Sequence, residues 1–381
     1  MMPNARRSLS GWMLLPLLAC LGLSGCSGFF TAVKSGGGSG SSSYAYVANI
    51  TTGATGGTLT EYTLTSGVLA TISGSPITLP AVPTSVVVAP NNGFLFVGTT
   101  TGVFLYTIGS DGTLTESNNN TVVYLGPTQP EAMVIDSTSS WLIIANKGSS
   151  ELDALPISPT TGEATGSYVT ASLNAATPGK MALTSAVSSV STLFVALGSG
   201  GTEAISFNAS NAKPFAATAN VLNLASGSTG ATAVGIDPTS TYAYVTETAA
   251  PSNLLRVITI KTLTQNGSSY VVGGSPTAVL ADSSGDYVYV ANSSDNTITG
   301  FSQSAGSLTA LADSPFATAK GVAGLAEDAS NKYIFAVGTG NNPDLWEYKF
   351  DGTSLGTLDV AATVSTSSSD PANGIVVALS H

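Results

Sequence analysis

From residue 44 onward the chain is a succession of short apolar runs, each broken by Gly, Pro, Asn, Asp or Ser. In seven of these runs an aromatic or bulky apolar residue leads into Val, Ile or Ala. The cores are Tyr46-Val47-Ala48, Phe96-Val97-Gly98, Ile143-Ile144-Ala145, Phe194-Val195-Ala196, Tyr244-Val245-Thr246, Tyr289-Val290-Ala291 and Phe335-Ala336-Val337. Their first residues stand 50, 47, 51, 50, 45 and 46 positions apart. A repeat of that length, made of strand and turn signals, predicts four-stranded units set around a ring. Beyond the N-terminal segment no stretch has helical periodicity.

The unit around Phe96 shows the plan. Pro83–Val88 reads as an inner strand, Phe94–Val97 as the second, Gly102–Tyr106 as the third and Thr121–Leu125 as the fourth, with turn residues at each junction. A Pro stands 13 residues before the core residue in three units (Pro83, Pro130, Pro276), and Pro178 stands 16 before Phe194. The first unit opens directly on its second strand, Tyr44 to Ala48. The chain ends on Pro371 to Leu379, which reads as an inner strand with no unit after it. Pairing these two ends completes one blade. The expected fold is all-β: a single seven-bladed β-propeller over residues 44–381, its N- and C-terminal strands sharing the closing blade. Tandem β-sandwiches, the alternative, leave the displaced strand unexplained.

Tyr287-Val288-Tyr289-Val290-Ala291-Asn292 followed by Asn296-Thr297-Ile298 resembles the YVTN-type propeller repeat. The run from Phe104 to Thr115 is similar to the blade pattern of the seven-bladed lactonase family, which includes 6-phosphogluconolactonase-like and muconate-cycloisomerising enzymes. The resemblance spans Tyr44 to Leu379 and implies a central funnel carrying His, Arg and Glu side chains. Fold does not carry function, so those residue types have to be found.

The first residues read as a targeting segment. Arg6 and Arg7 precede an apolar stretch from Gly11 to Leu23, too short to span a bilayer comfortably. Leu23-Ser24-Gly25-Cys26 resembles the bacterial lipobox, which implies a signal peptide over 1–25 and a lipid on the Cys26 thiol. Residues 26–43, with the run SGGGSGSSS, read as a flexible tether of roughly 23 Å reach. Ser27 after the Cys favours the outer membrane, so the expected setting is an exported lipoprotein in the cell envelope, on the outer-membrane or periplasmic side, anchored to the membrane through Cys26.

Charge narrows the partners. Of 11 basic residues Arg6 and Arg7 would leave with the signal segment, against all 22 acidic ones retained. Such an acidic surface argues against nucleic acid, which calls for Lys/Arg stripes. The single His is His381, the last residue, so a Ser-His-Asp triad or Cys-His dyad within the fold is excluded. Cys20 would be removed and Cys26 acylated, leaving no thiolate–His metal site. Neither a cofactor nor a metal is expected.

Four carboxylates, Asp136, Asp237, Asp282 and Asp328, each stand five residues before a strand-opening aromatic. They read either as a cation-binding ring or as side chains capping their own turns, and the turn position favours capping. The N-x-Ser/Thr patterns at Asn49, Asn119, Asn208, Asn266 and Asn292 are assigned no glycans, and Trp141 and Trp346 read as blade packing. Arg256 is the sole arginine past the signal segment and so the one weak catalytic candidate. With Lys180 it is the first cation to locate relative to the funnel.

The expectation is therefore a lipid-anchored envelope propeller acting as a non-catalytic module that binds a protein, peptide or glycan through one face. The alternatives are a lactonase-like hydrolase with an atypical His-free site and a passive structural envelope protein. Exposed aromatics grouped on one rim would favour binding; a cation facing carboxylates across the funnel would favour catalysis.

Overall fold

The structure is a computed structural model and describes residues 43–50, 56–65, 67–217, 220–222, 230–248, 251–340, 342–366 and 376–380. Residues 1–42, which include the expected signal segment, Cys26 and the expected tether, and His381 lie outside the described residues.

Seven separate antiparallel sheets make the molecule. Blade I takes Val376–Ser380 as its inner strand and continues with Ser43–Ile50, Gly57–Thr65 and Val68–Thr71. The inner strands of blades II to VII begin at Pro83, Pro130, Met181, Ala231, Pro276 and Val322. Neighbouring inner strands contact one another all the way round, including blade VII to I and I to II, so the ring is closed. The closure joins the two ends of the chain: Val47 stands opposite Val377, as Val97 stands opposite Val86 in blade II. The inner strand of blade I starts at Val376, and Pro371–Ile375 lie outside the described residues.

One expected element is different. In blade II the fourth strand is Leu114–Glu116, not Thr121–Leu125. The tight Ser110-Asp111-Gly112 turn returns the chain at once, so Leu114 pairs with Ile108. Asn118–Asn120, with positive φ, then turn the chain so that only Tyr124 bridges back to Val103.

The repeat packs between blades and not within them. Buried apolar residues fall into seven clusters, each drawn from two adjacent blades. Period-2 alternation explains this: along one strand, Ala45 and Val47 enter the seam with blade VII, while Tyr46 and Ala48 enter the seam with blade II. Each fully buried aromatic there is worth about 1.5–3 kcal/mol of transfer free energy, and a blade alone could not bury either face. Trp141 is buried in the III–IV seam, its indole N–H donating to the Ala209 carbonyl at 2.9 Å, and Trp346 stacks on Tyr348. Both pack blades, as read.

Candidate functional site: the central funnel

Five inner strands carry a β-bulge at their second residue. Pairing skips Thr84, Glu131, Thr232, Thr277 and Ala323 in blades II, III, V, VI and VII. A bulge inserts one unpaired residue and re-aims its side chain. In blade IV, Gly179 holds the matching place and Lys180 follows it, because Met181 pairs with Val195 as Met133 pairs with Ile144. Pro83, Pro130 and Pro276 immediately precede the bulge in their strands, where a missing N–H is tolerated.

Four of the bulge residues and Lys180 line a cavity of about 370 Å³ at this mouth: Glu131, Lys180, Thr232, Thr277 and Ala323, joined by Thr248 and Ser275. Lys180 is the only cation and Glu131 the only carboxylate among the lining residues. Burial holds the Lys180 ammonium below its ordinary range, and the charge of Glu131 opposes that shift. Glu131 is also 4.0 Å from the exposed Lys147 at the rim.

Arg256 is elsewhere. It lies on the third strand of blade V, with Nε donating to Glu247 Oε2 at 2.6 Å and Nη1 to Gln265 Oε1 at 3.0 Å. Its side chain is 2% exposed and does not line the funnel cavity. It belongs to a belt of buried polar pairs repeated from blade to blade. In each, the last residue or near-last residue of the second strand meets a third-strand side chain: Asn49 with Thr60, Asn146 with Asp153, Glu247 with Arg256, Asn292 with Thr299. The third-strand member pairs in register with Val47, Ile144, Val245 and Val290 respectively, so the places are equivalent. Asn49 and Asn292 are buried here, which closes those two sequons to glycans.

The four aspartates sit at the opposite ends of the inner strands, and each caps its own turn. Asp136 accepts from the amides of Thr138, Ser140 and Trp141 at 3.0, 2.8 and 2.6 Å. Asp282 accepts from Ser284 and Tyr287, and Asp328 from Ser330, Lys332 and Tyr333. In all four, the hydroxyl two residues on also donates to the carboxylate. Turn capping, not a cation ring, is what these carboxylates do.

Beside Asp282, sequence reading missed Glu327, whose carboxylate accepts from the amide and hydroxyl of Ser283 in blade VI at 2.7 and 3.0 Å. Burial, and then the Asp282 charge, push it up to about 8. Among the described residues Tyr168 is the one exposed aromatic side chain, so no aromatic rim is formed there.

The sequence matches no protein-family model and no curated protein. Solved structures do match over most of their length. The periplasmic gluconolactonase of Pseudomonas aeruginosa superposes with a TM-score of 0.68 at 15% identity, over 90% of this chain and 99% of that one. A Lactobacillus plantarum protein gives 0.68 at 16% identity, over 89% and 99%. A candidate 6-phosphogluconolactonase of Bacteroides fragilis gives 0.67 at 13%, over 90% and 98%. At these identities the likeness shows the fold alone: this chain is a seven-bladed β-propeller, as the topology of its sheets also shows.

Proposed function

We propose that the funnel binds and hydrolyses a small lactone, with Lys180 and Glu131 as its working pair. The observation that carries this reading is their placement: they are the one cation and the one carboxylate lining the cavity, on the adjacent blades III and IV, Glu131 at the bulge and Lys180 directly after the matching Gly179. The lactonase names of two structural neighbours lend the reading its substrate class.

Lactone opening needs a proton acceptor for water and a positive charge for the oxyanion. Water adds to the ester carbonyl as its proton passes to the Glu131 carboxylate. The carbonyl oxygen takes up negative charge beside the Lys180 ammonium. Collapse breaks the ring C–O bond, and the proton moves from Glu131 to the departing alkoxide, leaving a hydroxy acid. Thr232, Thr248 and Thr277 hold the substrate against this pair. The test is acid release from D-glucono-1,5-lactone, with Glu131→Gln expected to lose saturable turnover. Saturable binding without turnover would favour the second reading, a capture module for a small ligand, supported by the lack of any His among the described residues and by the place of Arg256 outside the funnel lining. Capture of a protein, peptide or glycan at this face has no aromatic rim to rest on among the described residues.

The envelope setting is proposed on sequence alone: Cys26 carries the lipid and tethers the ring to the membrane. Metabolic labelling with a fatty acid, lost in Cys26→Ser, tests it.

A further inference from the structure

We infer that the funnel selects an unphosphorylated lactone or hydroxy acid and turns phosphate esters away, an inference that rests on the funnel reading above. The hydrogen-bonding groups of the lining are uneven in kind. Thr277 Oγ1 donates to the Val322 carbonyl at 2.7 Å, and Thr248 Oγ1 to that of Gly230 at 3.2 Å. The hydroxyls of Thr232 and Thr246 are hydrogen-bonded to each other at 2.8 Å. With their protons committed, Thr248 and Thr277 present lone pairs to a guest, as Glu131 does. The donors are Lys180 and Ser275, whose hydroxyl accepts from Ser294 at 2.7 Å and keeps its own proton.

Between these groups the walls are carbon: the Pro276 ring, the Ala323 methyl and the threonine γ-methyls. Such a lining suits a guest that donates several O–H groups, lays C–H surface on the walls and sets one carbonyl or carboxylate on Lys180. A phosphate ester offers the reverse. It brings acceptor oxygens and about −1.5 to −2 charge at pH 7. Stripping water from that charge needs several well-placed cations. One ammonium facing a carboxylate does not supply them, and Lys147 is exposed at the rim, its side chain 63% accessible. The cavity is also at the small end of ligand sites, which run from about 300 to 1,000 Å³.

Calorimetric titration of the full-length chain with D-gluconate and with 6-phosphogluconate isolates the phosphate, since the two differ in nothing else. Gluconate is expected to bind at least about tenfold more tightly. Thr277→Val, which deletes an acceptor, should weaken gluconate several-fold, and Thr277→Ser should restore it, separating a lost contact from a lost fold. Equal or tighter binding of 6-phosphogluconate overturns the selectivity while leaving the funnel as a lactone site. If neither acid binds and no lactone is hydrolysed, the funnel reading falls and takes the selectivity with it.

Discussion

Arg256 Nε lies 2.6 Å from Glu247 Oε2, and the two side chains are 2% and 0% exposed. The single arginine after Arg7 is thus committed to the inside of blade V, one member of a belt filled in other blades by Asn–Thr and Asn–Asp pairs. Replacing Arg256 by Met leaves a buried carboxylate uncompensated, which costs about 3–5 kcal/mol. The double variant Arg256→Met/Glu247→Leu should recover most of that loss. Chemical denaturation measures both; equal losses in the single and double variants would show that the two residues are not coupled.

The aspartate caps carry a separate expectation. Asp136→Ala removes an acceptor from three turn amides, a loss of about 1.5–3 kcal/mol for charge-assisted bonds. Asp282→Ala should cost a similar amount. Because the two sit in blades III and VI, their effects should add in the double variant. A cation-binding role would instead make wild-type stability depend on added divalent metal, which the capping geometry does not.

Two carboxyls make stability depend on pH. Burial, aided by the Asp328 charge, pushes Glu347 up to about 7, and neither of its oxygens has a hydrogen-bond partner. Glu327 is pushed up to about 8. In the unfolded chain both return to the ordinary value of 4.5. Between about pH 4.5 and 8 the folded state therefore holds more protons than the unfolded one, and stability falls as pH rises through that window. Thermal melting should be higher at pH 5 than at pH 8. Glu347→Gln, neutral throughout, should raise the melting temperature at pH 8 and flatten the slope; an unchanged slope would contradict the assignment.

In the proposed hydrolysis, Lys180 is expected to set the alkaline limb of turnover. Its ammonium is held below the ordinary value of 10.5 by burial, and the oxyanion role needs the charged form. Lactone hydrolysis, corrected for the buffer rate, should therefore decline at a pH below 10.5. A rate that rises through the same range would point to the neutral amine as the acting species.

How much of this could be read in the chain depends on what each residue type reports. Seven blades, the shared closing blade and the capping aspartates are local or periodic features, visible as spacing between Tyr46, Phe96 and their equivalents. The funnel lining was less visible. The residue after each of Pro83, Pro130 and Pro276 is the bulge, a signal present in the repeat, but nothing local says that Thr84 or Glu131 leaves the pairing register. Lys180 was a cation to locate, while Glu131 was passed over because an isolated Glu in a strand reads as surface. The belt was illegible for a different reason: Glu247 and Arg256 are nine residues apart across a hairpin, and charge alone does not report burial.

The pair Lys180→Gln and Arg256→Met, compared by acid release from D-glucono-1,5-lactone after each is shown to be folded, weighs the funnel against every other place in the ring. Wild type and folded Arg256→Met should hydrolyse the lactone saturably, and Lys180→Gln should fall by about 10²–10³, the usual loss for one oxyanion-stabilising group. Turnover unchanged in Lys180→Gln, or wild-type acid release no faster than buffer, would contradict a hydrolytic funnel.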